Sequence, residues 1–209
     1  MSEWLDQAGR RFARAVTRVS VARPALWRVF RRPMRAQFDR LAPVWENRLG
    51  PEALLPLASA LERLERRPAR VLDLGTGTGK AARLVARLFS EAEIEAVDLA
   101  PAMVEEARRL LPAELAGRVR FQVADASVLP FAEGEFDLVV LLNMIPFFDE
   151  LARVTAPGGA AVLAFSWGAG TPIDVPRETL RARLARTGFE RFEDVAAGSG
   201  TALVAYRME

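Results

Sequence analysis

The sequence predicts an α/β fold with a doubly wound, mostly parallel sheet. From residue 71 onward, apolar segments of strand length alternate with segments whose apolar residues recur at helical spacing. One of the strand-length segments, Phe136–Leu142, is almost continuously apolar, which is typical of a strand that helices cover on both faces. A third observation is the glycine-rich turn that follows the first strand, Val71–Leu74. Open α/β sheets bind ligands outside the carboxyl ends of their strands, so this turn marks the predicted ligand site.

The length and the composition limit the architecture and the chemistry. A chain of 209 residues, 51% of them hydrophobic, can form one domain with additions or two small domains. It contains no cysteine and no histidine, so disulfides, thiolate nucleophiles, imidazole bases and Cys or His metal sites are excluded. We therefore expect no metal centre.

The charge is distributed unevenly along the chain. Residues 1–40 hold ten arginines and three acidic residues, a net charge of +7, and the remainder carries −5, which gives the overall +2. The main part of the chain is therefore not a basic nucleic-acid surface, and a nucleic-acid partner is not expected. No apolar run approaches the roughly 20 residues that span a bilayer. Arginines interrupt any signal sequence at the start, so we expect a cytoplasmic protein.

Residues 2–31 are predicted to form one helix or two, with a break near Pro24. The predicted apolar face consists of Trp4, Leu5, Ala8, Phe12, Ala15, Val16 and Val19. We favour a helix packed over the domain with a solvated arginine face, while peripheral membrane contact through residues 1–32 stays open. Residues 33–50 are predicted to form a shorter helical or irregular segment, and residues 52–66 an amphipathic helix.

The glycine turn does not match two common nucleotide-binding motifs. The dinucleotide motif G-x-G-x-x-G requires glycine at position 80, where the chain has Lys80. The phosphate-binding loop requires glycine in place of Leu74 and serine or threonine in place of Ala81. What remains is D-x-G-x-G-x-G, from Asp73 to Gly79. Its glycines can adopt positive φ and let a ligand approach the backbone, although a tight turn without a ligand would use the same residues.

Strands and helices continue in alternation after this turn. The predicted segments are helix 80–89, strand Ile94–Asp98, helix Pro101–Leu111, strand Val119–Ala126, strand Phe136–Leu142, helix Phe147–Val154, strand Ala161–Phe165, helix Arg177–Thr187 and an antiparallel hairpin of Phe189–Val195 with Ala202–Tyr206. Asp98 ends the second strand 23 residues after Gly75, where a carboxylate can accept hydrogen bonds from both hydroxyls of a ribose. Asn143 follows the fourth strand and should face the same site.

Taken in order, these motifs resemble the class I S-adenosylmethionine-dependent methyltransferases. The resemblance covers the glycine turn, the acid at Asp98, the D-A pair that ends the segment Val123–Ala126, L-x-R-V-x-x-P-G-G from Leu151 to Gly159, and the terminal hairpin. It implies a Rossmann-like, doubly wound, seven-stranded sheet of order 3-2-1-4-5-7-6, with strand 7 antiparallel and an N-terminal helical extension. The implied division is an extension or lid over residues 1–50 and a methyltransferase domain over residues 51–209.

The resemblance also implies the cofactor and the residues that hold it. The cofactor is S-adenosylmethionine, and the product is S-adenosylhomocysteine. Asp98 would bind the ribose, Met103 would lie against the adenine, and Asp125 with the backbone of Ala126 would contact the adenine edge. A core-facing methionine and an aspartate that caps a turn are the alternatives for Met103 and Asp125. The predicted cofactor-binding residues are Asp73, Gly75, Gly77, Gly79, Asp98, Leu99, Met103, Asp125, Ala126 and Asn143.

The expected function is methyl transfer to a small, apolar molecule. Two alternatives remain open: a catalytically silent binding module on the same fold, and an RNA or protein methyltransferase that uses the arginine-rich arm. The segment from Asn143 to Pro157 is shorter than in related enzymes, which leaves the acceptor open and suggests that the N-terminal helices form part of a lid. Residues 143–147 also resemble the [DN]-P-P-[FYW] loop of amino-group methyltransferases, but with one residue inserted and one proline missing. No catalytic residue can be named.

Overall fold

The computed structural model describes residues 2–209, and side chains from residue 7 onward. The chain begins with helix α1 (Ser2–Ala22), a 3-10 turn (Pro24–Leu26) and helix α2 (Trp27–Arg48). The predicted break near Pro24 is therefore confirmed, because proline lacks the N–H that a continuing helix needs. Residues 33–50, however, are not a separate irregular piece, since α2 continues through both Pro33 and Pro43.

The buried face of α1 differs from the predicted one. Ala8 and Ala15 are exposed, and the side chains of Trp4 and Leu5 lie outside the described part of the chain. The buried positions are Ala13, Val16, Thr17, Ser20 and Val21. The predicted face was wrong because the prediction counted only apolar residues. Small polar residues can also be buried when they are hydrogen-bonded. The Thr17 hydroxyl, for example, donates to the Ala13 carbonyl at 2.8 Å.

Seven strands form one sheet. They are β1 (Arg70–Leu74), β2 (Glu93–Asp98), β3 (Val119–Val123), β4 (Phe136–Leu142), β5 (Thr155–Phe165), β6 (Phe189–Ala197) and β7 (Gly200–Arg207). Their order is β3-β2-β1-β4-β5-β7-β6. The first five strands pair in parallel, and β7 is antiparallel to both β5 and β6. This is the predicted topology, including the terminal hairpin.

Helices cover both faces of the sheet. The remaining helices are α3 (Leu55–Leu61), α4 (Lys80–Leu88), α5 (Pro101–Arg109), α6 (Phe148–Val154) and α7 (Arg177–Arg186). One buried cluster joins residues of α3, α4 and α5 to the sheet, and a second joins residues of α1, α2, α6 and α7 to its other face. Along β1 the side chains alternate between these clusters, because successive residues of a strand point to opposite faces: Val71 belongs to the first, Leu72 and Leu74 to the second.

Two predicted boundaries are wrong. The helix expected over 52–66 is a 3-10 turn at Pro51–Leu54 followed by the short α3, and its tail to Leu64 closes with i→i−3 hydrogen bonds. The Pro-Gly-Gly turn expected before the fifth strand lies inside β5 instead, where the pairing with β4 shifts register. Gly158 has φ +70° there, so the glycines form an irregularity in the strand and not its start.

The glycine that follows α7 provides a direct test of how backbone conformation affects stability. Gly188 follows α7 with φ +93°, and a Cβ placed there would meet no atom within 4 Å. We predict that Gly188→Ala lowers the free energy of unfolding by roughly 1–2 kcal/mol, because alanine is strained in the left-handed region. Gly117 has equally open surroundings but no positive φ, so Gly117→Ala should cause no loss. Urea denaturation of both variants measures the difference, and equal stabilities would contradict the backbone explanation.

Candidate active site

The candidate site is a cavity at the carboxyl ends of β1, β2 and β4. Its wall includes the turn after β1, the end of β2 at Asp98 and Leu99, and residues 142–145 after β4. These segments meet because parallel neighbouring strands end at the same edge of the sheet. The rest of the wall is mostly apolar and is contributed largely by helix α2.

The three glycines of the turn adopt positive φ, as predicted, but they face different neighbours. Gly75 has φ +70°, Gly77 +54° and Gly79 +84°. A Cβ at Gly75 would lie 2.4 Å from Met144 Cγ, and a Cβ at Gly77 would lie 3.0 Å from Trp45 Nε1. Both glycines are on the cavity wall. The third, Gly79, caps the start of α4 and is not on this wall.

Asp98 joins the turn to the end of β2. Its Oδ2 accepts the Gly77 N–H at 2.9 Å, and its Oδ1 accepts the Ala100 N–H at 2.9 Å. Burial, opposed by bonds from backbone N–H groups and assisted by the nearby Asp39, raises the pKa of Asp98 to about 6. A carboxylate offers about four acceptor positions, so the Gly77 and Ala100 bonds do not use all of its capacity. Because Asp98 also lines the cavity, it fits the predicted role of accepting ribose hydroxyls.

Asp73 lies beneath the turn and does not line the cavity. Its side chain is fully buried, and its Oδ2 accepts the Thr76 hydroxyl at 2.6 Å. Burial raises the pKa of Asp73 to about 7, although the bonds from Thr76 and from the Ala82 backbone N–H lower it. In this position Asp73 supports the turn from below, whereas the sequence predicted direct contact with the ligand.

The two residues of the Asp125–Ala126 pair also differ in whether they line the cavity. Ala126 lines the cavity, whereas Asp125 is not on the cavity wall and its carboxylate contacts neighbouring side chains. Its Oδ1 accepts the Trp27 indole N–H at 2.9 Å and the Ser127 hydroxyl at 2.7 Å, and Arg31 Nη1 lies 3.6 Å from Oδ2. Asp125 thus ties α2 to the exit of β3 through Oδ1, while its buried Oδ2 has no hydrogen-bond partner, so both interpretations of Asp125 stay open.

The remaining predicted residues all lie on the wall. Leu99 and Met103 line it, and Met103 is also buried among Ala42 and Ala100, so that both interpretations of this methionine stay open. Asn143 lines the cavity with φ +53°, an uncommon conformation for a residue with a side chain. Its amide donates to Ser166 Oγ at 2.7 Å and accepts the Ser166 N–H at 2.9 Å. Asn143 therefore braces the ends of β4 and β5.

Sequence reasoning suggested that the N-terminal helices form part of a lid, but it did not identify the α2 side chains that line the cavity. Trp27, Met34, Phe38 and Trp45 all line the cavity. Their spacings of seven, four and seven residues keep them on one face of a helix, a signal that the two prolines of α2 obscured. Trp27 and Phe147 also make an edge-to-face contact with ring centroids 5.3 Å apart.

Glu46 fastens the end of α2 to the glycine turn. Its Oε2 accepts the Thr78 hydroxyl at 2.6 Å, and its Oε1 lies 2.9 Å from Arg83 Nη2 and 3.4 Å from Lys80 Nζ. Burial alone would raise the pKa of Glu46, but the Thr78 bond and the two cations outweigh it and leave the pKa below its usual value. The carboxylate is therefore ionised and holds three side chains of the turn and of α4 together.

Among the side chains that the structure describes, from residue 7 onward, no three acidic residues group into a metal site. No helix in the described part of the chain has the length and apolarity to cross a bilayer.

Comparisons with known proteins agree with this geometry. Residues 71–159 match the family model described as Methyltransferase domain. The chain is 35% identical to the malonyl-[acyl-carrier protein] O-methyltransferase of Geobacter sulfurreducens over 188 residues, covering 76% of this chain and 67% of that protein. It is 44% identical to the demethylmenaquinone methyltransferase of Thermus thermophilus over 108 residues, 48% of each chain.

A solved SAM-dependent methyltransferase from Aquifex aeolicus has the same fold, with a TM-score of 0.62 at 19% identity over 78% of this chain and 96% of that one. The sheet order and the site define the class of protein, a class I methyltransferase fold. The chain belongs to the S-adenosylmethionine-dependent methyltransferases. It spans about half the length of the first curated relatives that it matches, at 48% of each.

The buried Asp73 generates a pH-dependent prediction. Its pKa is 3.8 in the unfolded chain and about 7 in the folded chain, so the native state binds more protons between these values. The free energy of unfolding should therefore fall as the pH rises from about 4 to 7, by up to roughly 4 kcal/mol. Asp73→Asn removes this titration and should gain stability relative to the wild type over the same interval. Urea denaturation at pH 4.5 and pH 8 tests this; a pH-independent difference between the two proteins would contradict it.

Proposed function

We propose that this protein is an enzyme that transfers a methyl group from S-adenosylmethionine to a small, apolar molecule. The observation that carries the proposal is the position of Asp98: its carboxylate lines the cavity beside the glycine turn at Gly75 and Gly77. A carboxylate beside a glycine turn suits a ligand that has a ribose and a chain extending from it. The apolar wall beyond this pairing suits an acceptor with little polarity.

The residues proposed to hold the cofactor fall into two groups. Those proposed to touch it are Gly75, Gly77, Asp98, Leu99, Met103, Ala126 and Asn143. Those proposed to support the site from behind are Asp73, Gly79 and Asp125. When bound, S-adenosylmethionine supplies an activated methyl on a sulfonium. The chain's own part is to orient an acceptor in line with it, which can account for about 7–11 kcal/mol of barrier lowering.

The acceptor side of the cavity is apolar. Met34, Phe38, Ile145 and Ile173 line it, and Asp98 and Lys80 are the ionisable side chains that line the cavity in the described part of the chain. Tyr206 is not on this wall; its ring lies under the Arg191 guanidinium, whose carbon is 3.9 Å from the ring centroid. Malonyl-[acyl-carrier protein] and demethylmenaquinone, named for two relatives, are the acceptors that we would test first.

We also propose that residues 1–50 act as a lid on the methyltransferase domain at residues 51–209. Helix α2 supplies much of the cavity wall, and Glu46 fastens it to the turn.

We further propose that residues 1–32 make peripheral contact with an anionic membrane from the cytoplasmic side, through the outer arginines of α1 and α2. Co-sedimentation with phosphatidylglycerol vesicles at low and high salt tests this contact; no binding at low salt would exclude it.

Binding of the product tests the cofactor assignment. S-adenosylhomocysteine at 100 times its Kd should stabilise the folded state by ~2.7 kcal/mol. That corresponds to a rise in melting temperature of roughly 5–10 °C for a chain of this length. NAD serves as the control, because a dinucleotide-binding site would respond to NAD instead. A shift with NAD and none with millimolar S-adenosylhomocysteine would overturn the proposal, and turnover with an acceptor separates an enzyme from a silent binding module.

The ribose contact generates a second prediction. Asp98→Asn should weaken S-adenosylhomocysteine binding by ~1.5–3 kcal/mol at pH 8, the scale of hydrogen bonds to a charged group. Because the pKa of Asp98 is about 6, the wild type should lose affinity as the pH falls below that value. The variant has no charge to lose there, so its affinity should stay constant from pH 5 to 7. Calorimetric titration at several pH values measures both effects; an unchanged affinity in the variant means that Asp98 does not hold the sugar.

A further inference from the structure

Lys80 places a positive charge on the cavity wall. It is the first residue of α4 and the only lysine in the sequence. Its side chain is 16% exposed and lines the cavity together with Gly77 and Thr78. No other basic side chain lines this cavity within the described residues. Sequence reasoning used Lys80 only to reject two nucleotide-binding motifs.

The contacts of Lys80 leave part of its ammonium group available. Nζ donates to the Leu49 carbonyl oxygen at 2.5 Å and lies 3.4 Å from Glu46 Oε1. An ammonium has three N–H donors, so these two neighbours do not use all of them. Glu46 also shares its charge with Arg83 and accepts the Thr78 hydroxyl, so it only partly neutralises Lys80.

The cavity therefore carries one charge of each sign at different places. Asp98 lies at the end of β2, and Lys80 lies beyond the glycine turn at the start of α4. A ligand that suits this arrangement has hydrogen-bond donors near Asp98 and an anionic group near Lys80. A nucleoside whose ribose carries an amino-acid chain has this distribution, because its hydroxyls donate and its carboxylate is anionic.

We propose that Lys80 binds the carboxylate of the amino-acid end of the cofactor and so makes the site specific for the intact molecule. The proposal rests on the proposed function, since it assumes that the cavity holds S-adenosylmethionine. A lysine can meet a carboxylate as a point charge, and a partly buried site strengthens this contact relative to water. Lys80 is then a specificity-determining residue that favours the cofactor over thioethers that lack its amino-acid group.

The test compares two ligands on two proteins. S-adenosylhomocysteine carries the amino-acid end, and 5′-methylthioadenosine has the same nucleoside and sulfur without it. Lys80→Met keeps the length and apolar character of the side chain and removes the charge. Calorimetric titration should show S-adenosylhomocysteine binding weakened by roughly 10- to 100-fold in the variant. Binding of 5′-methylthioadenosine should change less than about twofold, because it makes no contact with the charge.

Matched variants separate recognition from structure. Arg83→Met removes a cation from the same Glu46 cluster but not from the cavity wall, so it should change both affinities by the same factor. Lys80→Arg keeps the charge and should retain most of the preference for S-adenosylhomocysteine. Equal losses for both ligands in Lys80→Met, or no loss for either, would overturn the proposal.

The single lysine permits a readout that needs no variant. Protein labelled with ¹³C at lysine Cε should give one lysine signal from this sequence. S-adenosylhomocysteine should shift that signal, and 5′-methylthioadenosine should not. If the wild type binds both ligands equally well and the signal does not move, Lys80 is not the carboxylate site although the proposed function stands. If the wild type binds neither ligand, the proposed function fails with it.

Discussion

The hydrogen bond between the Gly77 N–H and the Asp98 carboxylate, 2.9 Å long, is the contact on which the site depends. It holds the turn after β1 against the end of β2, and two further bonds, from the N–H groups of Gly75 and Thr76 to the Val97 carbonyl, fix the same junction. The turn can take this course because its glycines tolerate positive φ. One carboxylate thereby has two tasks: it positions the backbone, and it keeps acceptor capacity toward the cavity.

The second constraint is that the sheet provides only part of the cavity. Helix α2 closes much of the rest with large apolar side chains, and its hydrogen bonds to the domain include Trp27 to Asp125 and Thr78 to Glu46. These two hydrogen bonds join α2 to the exit of β3 and to the turn after β1, next to residues predicted to bind the cofactor. A movement of α2 would therefore disturb both ends of the site together, which gives a physical reason for treating the N-terminal helices and the domain as one functional unit.

The sequence predicted the sheet and the location of the site well, because both follow from local patterns. Strand periodicity, the glycine turn and the acid at the end of β2 are all short-range signals, and the structure places Gly75, Gly77 and Asp98 on one wall. It predicted less well which side chains face the cavity. Asp73 and Asp125 have the right place in the chain but point their carboxylates to Thr76 and Trp27, since a motif fixes a residue's position and not its partner. The surroundings of Lys80 depend on contacts more than 30 residues apart, with Glu46 and Leu49, which no local pattern contains. The apolar face of α2 is a local pattern, but Pro33 and Pro43 interrupt it in the sequence.

A crystal structure with S-adenosylhomocysteine bound tests the central claim most directly. We expect both ribose hydroxyls at about 3 Å from the Asp98 carboxylate, with the sulfur between the glycine turn and the apolar wall of α2. A ligand bound elsewhere on the protein, or a crevice in which Trp45 and Met144 exclude the ligand while Asp98 contacts only backbone, would contradict it.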